Sequence, residues 1–227
     1  MQWKAGLGAC LMAIGVAAGG SDQQPPVSPA SAAAAGTAVI EGRVDIPHPR
    51  KGAPLPRYPN QTQQPGPPEP RKAAVYLEGR FPSGATPRRV TLGQKDLQFN
   101  PGLLVIQRGT SVDFPNQDDL YHNVFSYSKA KRFDLGRYRK DERPPVLVFD
   151  RVGVVRLSCE IHEHMEGVIL IVDTPYFGKT DADGTFRLEG LPTGQFVLRA
   201  WVSEKQVYER PVELAPGVRL RVDFRAP

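Results

Sequence analysis

The chain has 227 residues, 40% hydrophobic and 23% charged, with 29 Lys and Arg against 24 Asp and Glu for a formal net charge of +5. That length can bury one large core or two small ones. The basic side chains are dispersed: Arg88 and Arg89, Lys129, Lys131 and Arg132, and Arg137, Arg139 and Lys140 read as solvated surface, and without an interleaved stacking pattern they argue against a nucleic-acid binder.

In chain order, residues 1–20 come first. Met1 to Lys4 make a short positive start, followed by an uncharged, mostly small and apolar run ending in Ala17, Ala18, Gly19 and Gly20. This is the pattern of a secretory signal peptide and is too short for a membrane span. It predicts a periplasmic or secreted protein. Leu7-Gly8-Ala9-Cys10 resembles a lipoprotein cleavage box. Too few residues separate Lys4 from Cys10 for an apolar signal core of about 7–15 residues, so a signal that simply contains a cysteine is preferred to a lipid anchor. No later segment is apolar enough to cross a bilayer, and no integral membrane span is expected.

Residues 21–36, rich in Pro, Ala, Ser and Gln, read as a flexible tether. Residues 38–46 alternate apolar Ile40, Val44 and Ile46 with charged Glu41, Arg43 and Asp45, which is a half-buried strand. Residues 47–72 hold nine prolines, so an irregular loop of polyproline character is expected, with His48 as a loop residue of no assigned role. A strand resumes at 73–78. Short β-like runs follow at 103–107, 111–114, 123–127, 146–149, 152–159 and 168–172, and again at 184–188, 196–202, 207–212 and 218–224. No window shows a helical period. Many short strands among 22 Gly and 23 Pro predict an all-β chain of sandwiches.

The chemistry concentrates at Cys159-Glu160-Ile161-His162-Glu163-His164-Met165. A thiolate, an imidazole and a thioether stand there at C-x2-H-x2-M spacing, directly after a strand. His122 lies behind another strand upstream. Two His nitrogens and one Cys sulfur in a trigonal set, with a weak axial Met, are the donors of a blue-copper electron-transfer site. Without residues 1–20, Cys159 is the only cysteine, so no internal disulfide is available in an exported protein, and metal ligation would protect the thiol. His164 could replace His162 or sit beside the site, but the spacing favours His162. Asp181-Ala182-Asp183-Gly184 hints at a calcium loop, yet Lys179 occupies the first ligand position, and a hairpin turn at Gly184 is the better reading.

Residues 112–124, Val-Asp-Phe-Pro-Asn-Gln-Asp-Asp-Leu-Tyr-His-Asn-Val, resemble the first-ligand region of plastocyanin-type cupredoxins, and C-E-I-H-E-H-M resembles the ligand loop of amicyanin. The resemblance covers residues 86–173. It implies a Greek-key cupredoxin β-sandwich with one type 1 copper ion held at one end by His122, Cys159, His162 and Met165. It also implies that Asn123 braces the thiolate by hydrogen bonding. Thr180-Asp181-Ala182-Asp183-Gly184-Thr185-Phe186-Arg187-Leu188, followed by Gly190-Leu191-Pro192-Thr193-Gly194, is similar to the carboxypeptidase regulatory-like, transthyretin-like domain. That resemblance implies a second, smaller immunoglobulin/transthyretin-like β-sandwich. In that family a G-x-V strand precedes the D-G-x-F hairpin, and here Gly42-Arg43-Val44 stands before the copper module. One sandwich made of 37–85 and 174–227, with the cupredoxin inserted, is therefore expected; two sandwiches in series are the alternative.

The expected function is one-electron transfer by an exported blue-copper protein that is not itself an enzyme. A copper-delivery module without redox turnover and a metal-free interaction scaffold are the alternatives. Copper oxidases and nitrite reductases need further His-rich centres, and this chain has four His in all. Glu160, Glu163 and Glu166 in the loop, with Asp118 and Asp119 before His122, predict an acidic copper end and a redox partner with a basic docking patch.

Overall fold

The computed structural model describes residues 37–47, 65–81 and 88–225. The expected signal peptide, the tether, Cys10 and most of the proline-rich loop lie outside them. Among the described residues there are seventeen strands and no helix, so the fold class is all-β. No helix there is long and apolar enough to cross a membrane.

Two strands open the described chain, β1 (Ala38–Arg43) and β2 (Ala74–Glu78). Ten follow: β3 (Arg89–Thr91), β4 (Gly93–Lys95), β5 (Gln98–Asn100), β6 (Leu103–Gln107), β7 (Thr110–Asp113), β8 (His122–Tyr127), β9 (Arg132–Tyr138), β10 (Leu147–Phe149), β11 (Gly153–Ser158) and β12 (Glu166–Val172). Five close the chain: β13 (Phe177–Lys179), β14 (Thr185–Leu191), β15 (Gly194–Ser203), β16 (Gln206–Leu214) and β17 (Arg219–Arg221). The short strands β3, β4, β5 and β13 go beyond the sequence expectation, as does β9. In β9 the charged clusters and Gly136 mask a real alternation of half-buried Phe133 and Leu135 with exposed neighbours.

The first two strands pair with the last five. β1 lies between β14, antiparallel, and β17, parallel, while β2 lies between β13 and β15, with β16 at the edge. At Gly42 the chain after β17 lies directly against β1: a Cβ there would fall 1.8 Å from the Val222 carbonyl oxygen. Only glycine permits that approach. Asp181 to Gly184 form the turn before β14, with the Asp183 carboxylate accepting from the Thr185 amide and hydroxyl and Gly184 at a φ of +88°. The core of these two sheets is Ile40, Val44, Val75, Leu77, Leu188, Leu191, Leu198 and their apolar neighbours.

The middle ten strands form a five-stranded sheet in the order β6-β12-β11-β8-β9, a three-stranded sheet β10-β7-β3, and the β4–β5 hairpin. Their core joins Leu92, Phe114, Val124, Phe149, Val155, Leu157 and Ile169 to Tyr138, Cys159 and Met165. A third apolar cluster sets Val105, Leu170 and Val172 of the five-stranded sheet against Ala74 and Trp201. Period 2 accounts for it: Val154 pairs with Leu170, and Leu170 with Val105, so all three face outward together.

Candidate metal centre

His122 begins β8, whose inward residues are His122, Val124 and Ser126, all buried. Cys159 follows the last residue of β11. The 160–165 loop then turns back on itself, with the Met165 amide donating to the His162 carbonyl at 2.9 Å, before β12 begins. His122 and Cys159 are thus delivered by strand ends and His162 by a single tight turn. One ligand atom each from His122, Cys159 and His162 lies within 4.8 Å of the others, and all three residues are buried. His122 Nδ1 is 3.0 Å from His162 Nδ1, which is 3.7 Å from Cys159 Sγ. Met165, 1% exposed, belongs to the same apolar cluster as Cys159. His164 is half-buried, its ring 6.2 Å from that of His162, and it is not in the three-atom group.

Asn123 braces the group through its backbone and its side chain alike. Its amide donates to Cys159 Sγ at 3.4 Å. Its side-chain Nδ2 donates to Asp134 Oδ1 and to the Gly136 carbonyl, and its Oδ1 accepts from the Glu160 amide. The residue therefore ties β8, β9 and the cysteine loop into one unit.

Three further residues brace the site, a role the sequence reading assigns to none of them. Asp118 Oδ2 lies 2.8 Å from His122 Nε2, and both carboxylate oxygens accept amides, from Asp96 at 2.8 Å and Leu97 at 3.0 Å. Those two residues have positive φ, 53° and 58°. A left-handed turn of two non-glycine residues is costly, and the carboxylate that secures it also orients the imidazole. Asn116 in turn fixes the loop: its Nδ2 donates to the carbonyls of Leu120 and Tyr138, and its Oδ1 accepts from the Asp118 amide. Tyr138, opposite His122 in the β8–β9 ladder, donates its hydroxyl to the Phe114 carbonyl at 2.7 Å. The signal available in the sequence is the four-residue spacing from Asp118 to His122. It is easily taken for surface charge, because the partner turn at Asp96 and Leu97 is remote in the chain.

Protonation follows from this packing. Burial would lower the His122 pKa, but the Cys159 sulfur and the Asp118 carboxylate outweigh it and leave it raised. Burial would raise the Cys159 thiol, but hydrogen bonds from His122 and from the amides of Asn123, Ile161 and His162 bring it below its ordinary value. His162 is pushed down to about 4 by burial and by the neighbouring His122 and His164. Near neutral pH, His162 presents a neutral imidazole. His122 keeps its Nε2 against Asp118, and the hydrogen bonds to the sulfur favour its ionised form over the thiol. Of the two Nδ1 atoms, 3.0 Å apart, one carries the proton that a metal ion would displace, and two imidazole nitrogens and a sulfur converging in a buried pocket fit a soft transition-metal cation such as copper.

The carboxylates around this end are more committed than their number suggests. Asp118 points inward, Asp119 pairs with Lys140 at 3.5 Å, and Glu160 pairs with Arg137 at 3.0 Å. Less free negative charge remains here than the sequence implies.

No protein-family model matches the chain, and no curated protein matches it. Among solved structures, it is similar to the Cu-containing nitrite reductase of Thermus scotoductus SA-01, at 25% identity and a TM-score of 0.36 over 43% of this chain. The chain spans 25% of that protein's length. It is also similar to amicyanin from Paracoccus versutus, at 18% identity and a TM-score of 0.34, covering 43% of this chain and 97% of the other. A reduced Cu(I) amicyanin mutant matches at 16% identity and a TM-score of 0.35, over 43% of this chain and 98% of the other.

Proposed function

We propose that this chain is an exported, periplasmic or secreted type 1 copper protein that transfers single electrons to and from a redox partner protein and catalyses no reaction of its own. The observation that carries this reading is the convergence of His122 Nδ1, His162 Nδ1 and Cys159 Sγ in a buried pocket, with the Asn123 amide donating to the sulfur. One copper ion would be held by those three atoms with Met165 as a weak fourth ligand, and would supply a centre that gains and loses one electron with little rearrangement. The protein's part is to keep that set rigid and dry. Asp118 holds the His122 ring, Asn123 holds the sulfur and the loop, and the Phe114, Phe149 and Leu157 core keeps water out. A frame of this kind suits repeated cycling better than release of the metal.

The domain boundaries form part of the same proposal. Residues 37–85 and 174–227 make one sandwich, and 86–173 the copper domain inserted into it. The pairing of β1 with β14 and β17, and of β2 with β13 and β15, supports insertion over two sandwiches in series.

The test is the visible absorption spectrum of the oxidised, copper-loaded protein beside Cys159→Ser. The expected result is an intense thiolate-to-copper band that the substitution abolishes. A protein that binds copper without that band is a delivery or storage module, and one that takes up no copper is an interaction scaffold.

A further inference from the structure

Among the described residues, only half of the outer face of the five-stranded sheet is covered. Over β6, β12 and β11 the residues Leu103, Val105, Val154, Val168 and Leu170 pack against Ala74, Tyr76 and Trp201. The cover reaches as far as Arg156 on β11, whose guanidinium forms a two-bond ion pair with Glu204 at 2.8 and 3.0 Å. Beyond it, β8 and β9 carry the same face onward. Ser158 pairs with Phe125, Phe125 with Asp134, and Tyr127 with Arg132. The alternation therefore sets Phe125 and Tyr127 outward beside Arg132, with Asn123 beside Arg137.

On this uncovered half the aromatic and cationic side chains are matched across the strands. The Arg132 guanidinium lies over the Tyr127 ring, and that of Arg139 over the Tyr121 ring, each at 5.3 Å. Tyr121 is 48% exposed and Tyr127 69%, and Tyr127 leans on Phe125 at 5.3 Å between centroids. A guanidinium held over a ring face makes no hydrogen bond to it and keeps its donors available for carboxylates. Between Tyr121 and Arg143 the chain carries seven basic and three acidic residues, most of the net charge of the protein in a tenth of its length. Of these acids, Asp134 is occupied by Asn123 and the Gly136 amide. Lys131, Arg137 and Lys140 have carboxylate partners in Asp150, Glu160 and Asp119, whereas Arg132 and Arg139 are held by the rings.

We infer that the β8–β9 face is the docking surface for a protein partner that presents exposed Asp and Glu side chains, with Tyr121, Tyr127, Arg132 and Arg139 as its anchors. Exposed Tyr and Arg at the centre of a patch are the residues that dominate interface energies, and Arg132 and Arg139, held by rings and not by carboxylates, select the sign of the partner. The row begins at Tyr121, next to His122, so a partner docked here sits beside the candidate copper site. The inference deepens the electron-transfer reading and rests on it for the partner's role, and it reverses the basic partner that the carboxylate count suggests.

The experiment uses the full chain, before and after copper loading, with poly-L-glutamate as the probe at low ionic strength and backbone amide NMR as the readout. Amides of β8 and β9 shift first. Arg132→Gln with Arg139→Gln weakens binding about tenfold, while Arg210→Gln with Arg219→Gln, the same charge loss on β16 and β17, weakens it less than about twofold. Tyr121→Ser with Tyr127→Ser leaves the charge intact and still weakens binding about threefold, because the guanidinium groups lose their platforms. Equal weakening by the two arginine pairs, shifts centred elsewhere, or tighter binding of single-stranded DNA to the same face would overturn the inference. A protein that takes up no copper but binds poly-L-glutamate on β8 and β9 defeats the electron-transfer reading alone.

Discussion

The two main cores of this chain are made from the same strand chemistry but admit different side chains. The core between β1, β2 and the last strands buries Ile40, Leu77, Leu191 and Leu198 with other apolar residues, and among the described residues its only titratable neighbours are at its partly buried edge, such as Tyr176 and Tyr208. The core of the middle strands buries Tyr138, Cys159 and Met165, with His122, Asn116 and Asn123 at its margin. Buried polar groups are tolerated only where their hydrogen bonds are met. Here they are met in a chain from Asn116 through Asp118 to His122. One core is a folding device. The other is also an instrument, and its polar members fix one another's positions.

The sharpest way to break that contrast is Leu198→Ala. Leu198 is fully buried in the apolar core, and truncation should cost about 2–5 kcal/mol of stability in denaturant unfolding. Copper affinity of the folded fraction should not change. A parallel loss of affinity would mean that the two cores act as one.

Asp118→Asn probes the other core. The amide can still accept one backbone bond, but it no longer presents a carboxylate to His122 Nε2. Loss of such a partner typically lowers metal affinity by about 10- to 100-fold, measured here by competition with a copper chelator. An unchanged affinity would reduce Asp118 to a brace for the Asp96–Leu97 turn.

How far the sequence exposes these features depends on how local their causes are. The C-x2-H-x2-M loop is legible because three donors lie within seven residues and one turn. The alternation of β1, β6 and β11 is legible for the same reason, each being set by its own neighbours. Asp118 is not, since the turn it satisfies lies 22 residues upstream, and five carboxylates read together suggest a charged surface where one is internal. Strand β9 is hidden because a register shift near Asn123 and Phe125 and the glycine at 136 break its period. The clusters at 129–132 and 137–140, which read as solvated surface, form with Tyr121 and Tyr127 an ordered row that only the β8–β9 pairing reveals.

The smallest expected effect lies at the contact between Arg156 of β11 and Glu204 of the β15–β16 turn. Arg156 and Glu204 are largely exposed, at 67% and 45%, and Arg156 holds the Glu204 carboxyl below its ordinary value of 4.5. A lowered folded value means that the pair adds stability above the unfolded pKa and loses it as the pH falls through the folded one. Exposed pairs of this kind are worth under about 1 kcal/mol and are screened by salt. Glu204→Gln should therefore cost at most that amount in unfolding at pH 7 and low salt, and nothing measurable at high salt or below both pKa values. A larger loss, persisting in salt, would show that the pair positions Trp201 and the β15–β16 turn against the five-stranded sheet, so that the boundary of the covered half is set by this contact and not by the apolar cluster behind it.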